Sequence, residues 1–329
     1  MELSLKEFRE KFINDLLEIH WRHWTALGVA SHVRPERYWI VDLEAITTST
    51  LLIGLCDKRL LSASLEWLIK NGEWMNLSRL KRIGKVFMKP FPGSNELLLS
   101  PEVLKLTANT LRKFGQNGLA IKRFDSLESN ETRVKEYESF FNKFQMRGIV
   151  TEPQIQQPSL IQLLLRNVFG TGARVEVFIY LLTNDSGNSN SIAKDVFYDQ
   201  KNIYRILEKW TKAEVVTKIA GKRVGEYSLK RKNEWLRVLG LKENPGYLNW
   251  VRTLLMLNQL AKALSTPPWS DDEYLISSFF RDILNEVKSI GRSLNILVPE
   301  PASFSGSQYF VPFAMAVLNI LEKLRGHKK

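Results

Sequence analysis

The sequence predicts a mainly α-helical protein with one short β-hairpin. Three observations support this fold class. Apolar residues recur at three- and four-residue spacing along most of the 329-residue chain, which is the helical period. Hydrophobic residues make up 44% of the chain, enough to bury hydrophobic cores. Alternation of β-branched and polar residues is clear in one place, at residues 214–229 on either side of Gly221, and indicates two strands joined by a turn.

Two breaks divide the chain into three sections. The first break, at 153–158, has two prolines and three glutamines and lacks any helical period. The second, at 242–246, contains Asn-Pro-Gly. We therefore expect a helical N-terminal domain over 1–157, a central domain over 158–240 and a C-terminal helical section over 241–329.

The N-terminal section is predicted to contain six helices, at 5–19, 43–55, 58–70, 77–85, 101–114 and 131–144. Asp57 and Asn76 have the side chains of N-cap residues and precede two of these helices. Asn71 and Gly72 are expected to end the third helix in the left-handed conformation.

The C-terminal section is predicted to contain three helical segments separated by prolines. Its longest uncharged window, 301–321, is apolar only from Tyr309 onward and carries Pro312 early in that part. A membrane span needs about 20 apolar residues, so this pattern favours a buried core helix and predicts no membrane partner. The leucines of 247–264 face several directions, which indicates that this section covers the central domain or forms a dimer interface.

Charge and cysteine content narrow the classes of function. The single cysteine, Cys56, excludes an intrachain disulfide, and the charged N-terminus lacks a signal-peptide pattern, so the sequence predicts a cytoplasmic protein. The net charge of +12 favours a polyanionic partner, nucleic acid first. Residues 201–232 contain ten basic and three acidic side chains. More than half of the excess positive charge therefore lies in this short segment.

The central section has the order helix, helix, helix and hairpin. The predicted helices are 173–182, 191–196 and 199–212, and the predicted strands are 214–219 and 225–229. Residues 173–231 resemble the winged helix-turn-helix family of prokaryotic DNA-binding regulators. The resemblance is carried by a small residue in the second helix, Ala193, and by the surrounding apolar positions Ile192, Val196, Tyr198, Ile203 and Ile206. Phe197 stands where the turn commonly has glycine.

This resemblance implies that helix 199–212 enters the major groove of double-stranded DNA and that the 219–227 wing contacts the backbone. The outward-facing side chains expected to contact bases are Gln200, Lys201, Asn202, Tyr204 and Arg205. Lys209 and Lys212 are expected to contact phosphates, and Lys222 and Arg223 to reach the backbone or an adjacent minor groove. The amide end of the short helix near Ser191 is expected to offer a further phosphate site. The sequence therefore predicts a sequence-specific DNA-binding protein, most simply a transcriptional regulator. A homodimer is expected because two-fold operators are read by dimers.

Two other classes of function stay open at this point. The winged helix could instead bind a protein partner, as in the regulatory half of a toxin–antitoxin or nucleotidyltransferase pair. An enzyme is a third hypothesis, but no motif identifies a catalytic residue or a cofactor. His20, His23 and His32 lack the companions that would complete a metal site, and the first two are expected to pack in a core. The basic residues Arg79, Lys81, Arg82, Lys85 and Lys89 could belong to a second DNA-contacting helix-turn-helix, but a solvated helix face is the favoured interpretation.

Overall fold

The computed structural model describes residues 3–116, 131–219, 225–241 and 244–326. Over these residues the protein is mainly α-helical, as predicted, with one small β-sheet. The helices of the N-terminal section are α1 (Leu5–Ala26), α2 (Leu43–Ile53), α3 (Lys58–Asn71), α4 (Leu77–Phe87), α5 (Pro101–Lys113) and α6 (Glu131–Asn142). The helices of the central section are α7 (Ile161–Phe169), α8 (Ala173–Thr183), α9 (Ser189–Val196), α10 (Gln200–Lys212) and α11 (Lys232–Val238). The central strands are β1 (Gly187–Asn188), β2 (Val216–Ile219) and β3 (Glu226–Leu229). The C-terminal section contains α12 (Trp250–Ala263), α13 (Glu273–Asp282), α14 (Leu284–Ser293) and α15 (Phe310–Arg325).

Capping residues set the starts of α3 and α4 as predicted. The Asp57 side chain accepts hydrogen bonds from two amides of the first turn of α3, and the Asn76 side chain accepts one from the Arg79 amide of α4. The predicted left-handed end of α3 is wrong, because Gly72 has a φ of −62°. The chain instead makes a single 3₁₀ turn, closed by the Met75 amide on the Gly72 carbonyl, that leads directly into α4.

Residues from both ends of the chain build one hydrophobic core. Helix α15 packs along α1, and α12 packs against α2. The ring centroid of Phe8 lies 6.1 Å from that of Phe280 and 5.8 Å from that of Phe310. The apolar side chains of the C-terminal section are thus largely buried against the N-terminal section, which explains the apolar residues on several sides of α12.

A second core lies inside the central section, between α8, α9, α10 and the sheet. The sheet is antiparallel with the order β1-β3-β2, and Val216 of β2 pairs with Leu229 of β3. Tyr227 and Leu229 are buried, while Glu226 and Ser228, which alternate with them, are partly exposed, so β3 turns one face to the core. This packing holds α10 on the outside of the central section.

No helix in the described part of the chain is long and apolar enough to cross a membrane. The window 301–321 contains two short 3₁₀ helices and most of α15. Phe313, Val317 and Leu321 of α15 are fully buried in the first core, which confirms the predicted core helix.

Candidate nucleic-acid interface

Helix α9 begins two residues before the predicted start because Asn188 is its N-cap. The Asn188 Oδ1 accepts hydrogen bonds from the amides of Asn190 (3.0 Å) and Ser191 (2.9 Å). The Ser191 hydroxyl donates to the Asn188 carbonyl at 3.0 Å. The amides near Ser191 that were predicted to contact phosphate, and the Ser191 hydroxyl beside them, therefore already have partners within the chain.

The turn between α9 and α10 is left-handed at Phe197, which has φ 60° and ψ 48°. A side chain in this conformation costs about 1–2 kcal/mol, and for this reason glycine is common at such turns. The Phe197 ring packs against the N-terminal core, which offsets that cost. The Tyr198 amide donates to the Ala193 carbonyl at 3.1 Å, and Asp199 then caps α10 as predicted.

Helix α10 has one buried and one exposed face. Ile203, Ile206 and Leu207 are buried in the central core. The exposed side chains are those of Gln200, Lys201, Asn202, Tyr204, Arg205, Lys209 and Lys212. None of the four cations among them forms an ion pair with a described residue. The exposed face of α10 is therefore a cationic surface with hydrogen-bonding groups available for a partner.

Gln200 differs from its neighbours because its side chain is already engaged. Its amide nitrogen donates to the Ser189 hydroxyl at 2.9 Å, which ties the start of α10 to the start of α9. The other four side chains predicted to contact bases make no hydrogen bond to a described residue. They are Lys201, Asn202, Tyr204 and Arg205.

The hairpin lies beside α10 and neutralises its single carboxylate, Glu208. Lys218 of β2 forms an ion pair with Glu208 at 3.0 Å, and the Tyr227 hydroxyl donates to the same carboxylate at 2.6 Å. These hydrogen bonds, first from Tyr227 and then from Lys218, lower the pKa of Glu208. Lys222 and Arg223, predicted for the tip of the 219–227 wing, lie outside the described residues.

Helix α4 holds the turn between α9 and α10 in place. The Arg79 Nε donates to the Val196 carbonyl at 3.0 Å, and its Nη atoms lie 2.6 and 2.5 Å from the Asp42 carboxylate. The Asn76 side-chain amide donates to the Tyr198 hydroxyl at 2.7 Å. Residues on both sides of the turn are thus bound to the N-terminal section.

The solvated-face interpretation of the basic residues on and after α4 is wrong for Arg79. This residue is 2% exposed, and its guanidinium donates hydrogen bonds to two carboxylates and a carbonyl. The remaining members of the cluster are exposed. They are Lys81, Arg82, Lys85 and Lys89.

A buried ion-pair network extends from Arg79 through Glu44. Arg79 lies 2.6 Å from Glu44, and Arg166 contacts both Glu44 oxygens at 2.7 and 2.8 Å. Arg166 also contacts Glu176 of α8 at 2.7 Å. Burial by itself raises the pKa of Glu44, but Arg166 and Arg79 outweigh it and lower the pKa to about 2. The network joins α2, α4, α7 and α8 at the base of the central section.

Sequence reasoning missed this network, although one signal was present. Glu44 lies in α2 among apolar, alanine and hydroxyl residues, and a carboxylate in such a helix needs a buried cation. Its partner Arg166 lies 122 residues further along the chain. The sequence could therefore have indicated a buried pair without identifying the arginine.

The first two histidines pack in the N-terminal core as expected. The His20 ring contacts the Leu16 carbonyl and the Ser49 hydroxyl, and the His23 ring meets Trp250 edge-on with centroids 4.5 Å apart. Burial lowers the pKa of both histidines to about 3. The described residues contain no group of three His, Cys, Asp or Glu side chains placed to bind a metal ion.

Comparisons of the chain with protein-family models, curated protein sequences and solved structures found no match. The interpretation of residues 173–231 therefore depends on the residues and geometry of this chain.

Proposed function

We propose that residues 173–231 form a winged helix-turn-helix that binds double-stranded DNA, and that the protein is a sequence-specific transcriptional regulator. The exposed face of α10 carries this proposal. Four cations lie there without ion pairs to described residues, and an asparagine and a tyrosine are exposed beside them. One α-helix fits the major groove of B-DNA, which is about 12 Å wide.

The arrangement of elements supports the same proposal. Helices α8, α9 and α10 are followed by the β2–β3 hairpin, which is the order expected of a winged helix. The hairpin lies beside α10. Its Lys218 forms an ion pair with Glu208, the one carboxylate of α10, and offsets the negative charge of that carboxylate. The field at α10 is therefore dominated by its lysines and its arginine.

The chemistry of each side chain suggests its role. Lys201 and Arg205 present donors for the acceptor atoms of guanine, and Asn202 can form two hydrogen bonds with adenine. Lys209 and Lys212 lie further along α10, where phosphates are the expected contacts. For its amide nitrogen to contact a base, Gln200 would have to break its hydrogen bond to the Ser189 hydroxyl.

The proposal predicts salt-dependent binding to random-sequence duplex DNA. Fluorescence anisotropy at low and at physiological salt should give affinities that fall steeply, because each neutralised phosphate contributes a slope of about −0.9 in log K against log salt. A slope of several units supports the proposal. The absence of binding at low salt would contradict it and would favour a protein partner for the same surface.

Arg205→Ala and Lys209→Ala should separate base contacts from phosphate contacts. Once a preferred sequence has been selected, Arg205→Ala should cost about 1–3 kcal/mol on that sequence and relax the preference at one base pair. Lys209→Ala should weaken binding to all sequences alike and reduce the salt slope by about one unit. Competition titrations with selected and random duplexes measure both effects. If Arg205→Ala lost the same affinity on the selected and the random duplex, the assignment of Arg205 as a base contact would be contradicted.

A further inference from the structure

The exposed basic residues of α4 lie beside the start of α10. The central carbon of the Arg82 guanidinium is 5.6 Å from the centre of the Tyr198 ring, which is a cation–π contact. Tyr198 directly precedes Asp199, the N-cap of α10, and Lys201 follows two residues after Asp199. The three residues of chain from Tyr198 to Lys201 span at most about 11 Å. Arg82 is therefore close to the N-terminal end of α10, the end of a recognition helix that contacts base edges.

A row of basic side chains on α4 leads from the central section out to solvent. Residues three apart are neighbours on a helix surface, so Arg79, Arg82 and Lys85 form this row. It begins where the Arg79 Nε donates to the Val196 carbonyl at 3.0 Å. Arg82 and Lys85 are exposed, and so is Lys81, which precedes Arg82 in the chain. The three exposed cations, Lys81, Arg82 and Lys85, are called the α4 basic face below.

The α4 basic face has no countercharge in the part of the chain that the structure describes. Arg79 is paired with Asp42 and Glu44, whereas none of the three exposed cations forms an ion pair with a described residue. Helix α4 itself contains no aspartate or glutamate. The α4 basic face is therefore a surface of one sign, and the partner that complements it is a polyanion.

Hydrogen bonds hold α4 in a fixed position relative to the turn before α10. The Asn76 side-chain amide donates to the Tyr198 hydroxyl at 2.7 Å and to the Thr171 carbonyl at 2.9 Å. Arg79 binds the Val196 carbonyl on the other side of the turn. The α4 basic face and the start of α10 are thus presented together, so a single duplex can meet both.

We propose that the α4 basic face contacts the phosphate backbone of the same duplex whose major groove receives α10. This inference rests on the proposed function, because α10 decides where the duplex lies. Phosphates of both strands border the major groove, and the groove is only about 12 Å wide. A cationic surface beside the N-terminal end of a helix in that groove therefore meets the backbone. Such contacts add affinity and fix the orientation of the protein, but they read no sequence.

Arg82→Gln combined with Lys85→Gln tests this contact. In fluorescence anisotropy with a random duplex, the slope of log K against log salt should become shallower by about two units, because each phosphate contact contributes about 0.9. The affinity at roughly 0.1 M salt should fall by at least about tenfold. A selected duplex should lose affinity by the same factor, since backbone contacts carry no sequence information. A loss confined to the selected duplex would overturn the assignment to phosphates.

Lys85→Gln by itself separates a phosphate contact from a disturbed turn. This variant leaves the contact between Arg82 and Tyr198 in place and should still reduce the slope by about one unit. Circular dichroism checks that each variant is folded. An unchanged slope for folded Lys85→Gln would remove Lys85 from the proposed contact.

Lys6→Gln combined with Arg9→Gln is the matched control. Lys6 and Arg9 are the same two residue types at the same spacing of three, on a helix that packs along α15, and neither forms an ion pair with a described residue. This pair should leave the salt slope close to that of the wild type. If the α4 pair and the α1 pair change the slope equally, the present inference is overturned and the proposed function stands. A wild type without salt-dependent duplex binding overturns both.

Discussion

Lys201→Glu combined with Arg205→Glu will reduce duplex affinity by about 100-fold or more at roughly 0.1 M salt. The two side chains lie one turn apart at the centre of the exposed face of α10 and have no ion-pair partners among the described residues. The reversal removes two cations from the DNA contact and places two carboxylates against phosphates, so repulsion adds to the lost attraction. Fluorescence anisotropy with a labelled duplex measures the effect.

A matched charge reversal on another helix provides the control. Lys105 and Arg112 are exposed on α5, in the N-terminal section, and their reversal changes the net charge by the same amount. Lys105→Glu with Arg112→Glu should lower the affinity only slightly, through the weaker overall field. Equal losses for the two pairs would show that net charge alone drives binding. An unchanged affinity in the α10 pair would exclude α10 as the DNA contact.

Arg166→Met will destabilise the protein by about 3–5 kcal/mol, because it leaves buried Glu44 with Arg79 as its one described cation and leaves Glu176 with no ion-pair partner among the described residues. Glu44 is fully buried and loses two short contacts, and Glu176 loses one. Urea denaturation at pH 7 measures the loss. Arg59→Met is the control, since Arg59 is 70% exposed and lies 3.8 Å from Asp57, and it should cost less than about 1 kcal/mol. Equal costs for the two variants would contradict a stabilising role for the network.

The deficit of Arg166→Met should depend on pH in a defined direction. In the wild type, the pKa of Glu44 is about 2 in the folded state against an ordinary value of 4.5. Its stabilising contribution is therefore complete above about pH 4.5 and is lost as the pH falls toward 2. Without Arg166 the pKa of Glu44 rises. Protonation of the buried carboxyl then removes its charge and reduces the free-energy cost of burying it in the variant. The free energy of unfolding of the variant should approach that of the wild type as the pH falls from 7 toward 5. A deficit that is constant over this range would contradict the assignment to Glu44.

The same network links the N-terminal section to the orientation of α10. Arg79 binds Asp42 and Glu44 on one side and the Val196 carbonyl on the other. Asn76 holds Tyr198 just beyond the turn. The position of α10 is therefore set by side chains that lie more than a hundred residues earlier in the chain.

Local features of the structure could be predicted from the sequence by itself. Asp57, Asn76 and Asp199 begin helices because a capping side chain bonds amides only two or three residues away. The helical period also placed Ile203 inside and Arg205 outside on α10, since one helix face repeats every three to four residues. The residues that carry the proposed function were identified in this way.

The tertiary structure decided which side chains are free and which are engaged. Arg79 and Lys81 are neighbouring cations in one sequence cluster, yet only Arg79 meets Asp42 and Glu44 and becomes buried. The helical period places the Gln200 side chain outward, but its amide group donates a hydrogen bond to the hydroxyl of Ser189 in another helix. These outcomes depend on contacts between distant segments, and the sequence pattern of one helix contains no information about the helix that packs against it.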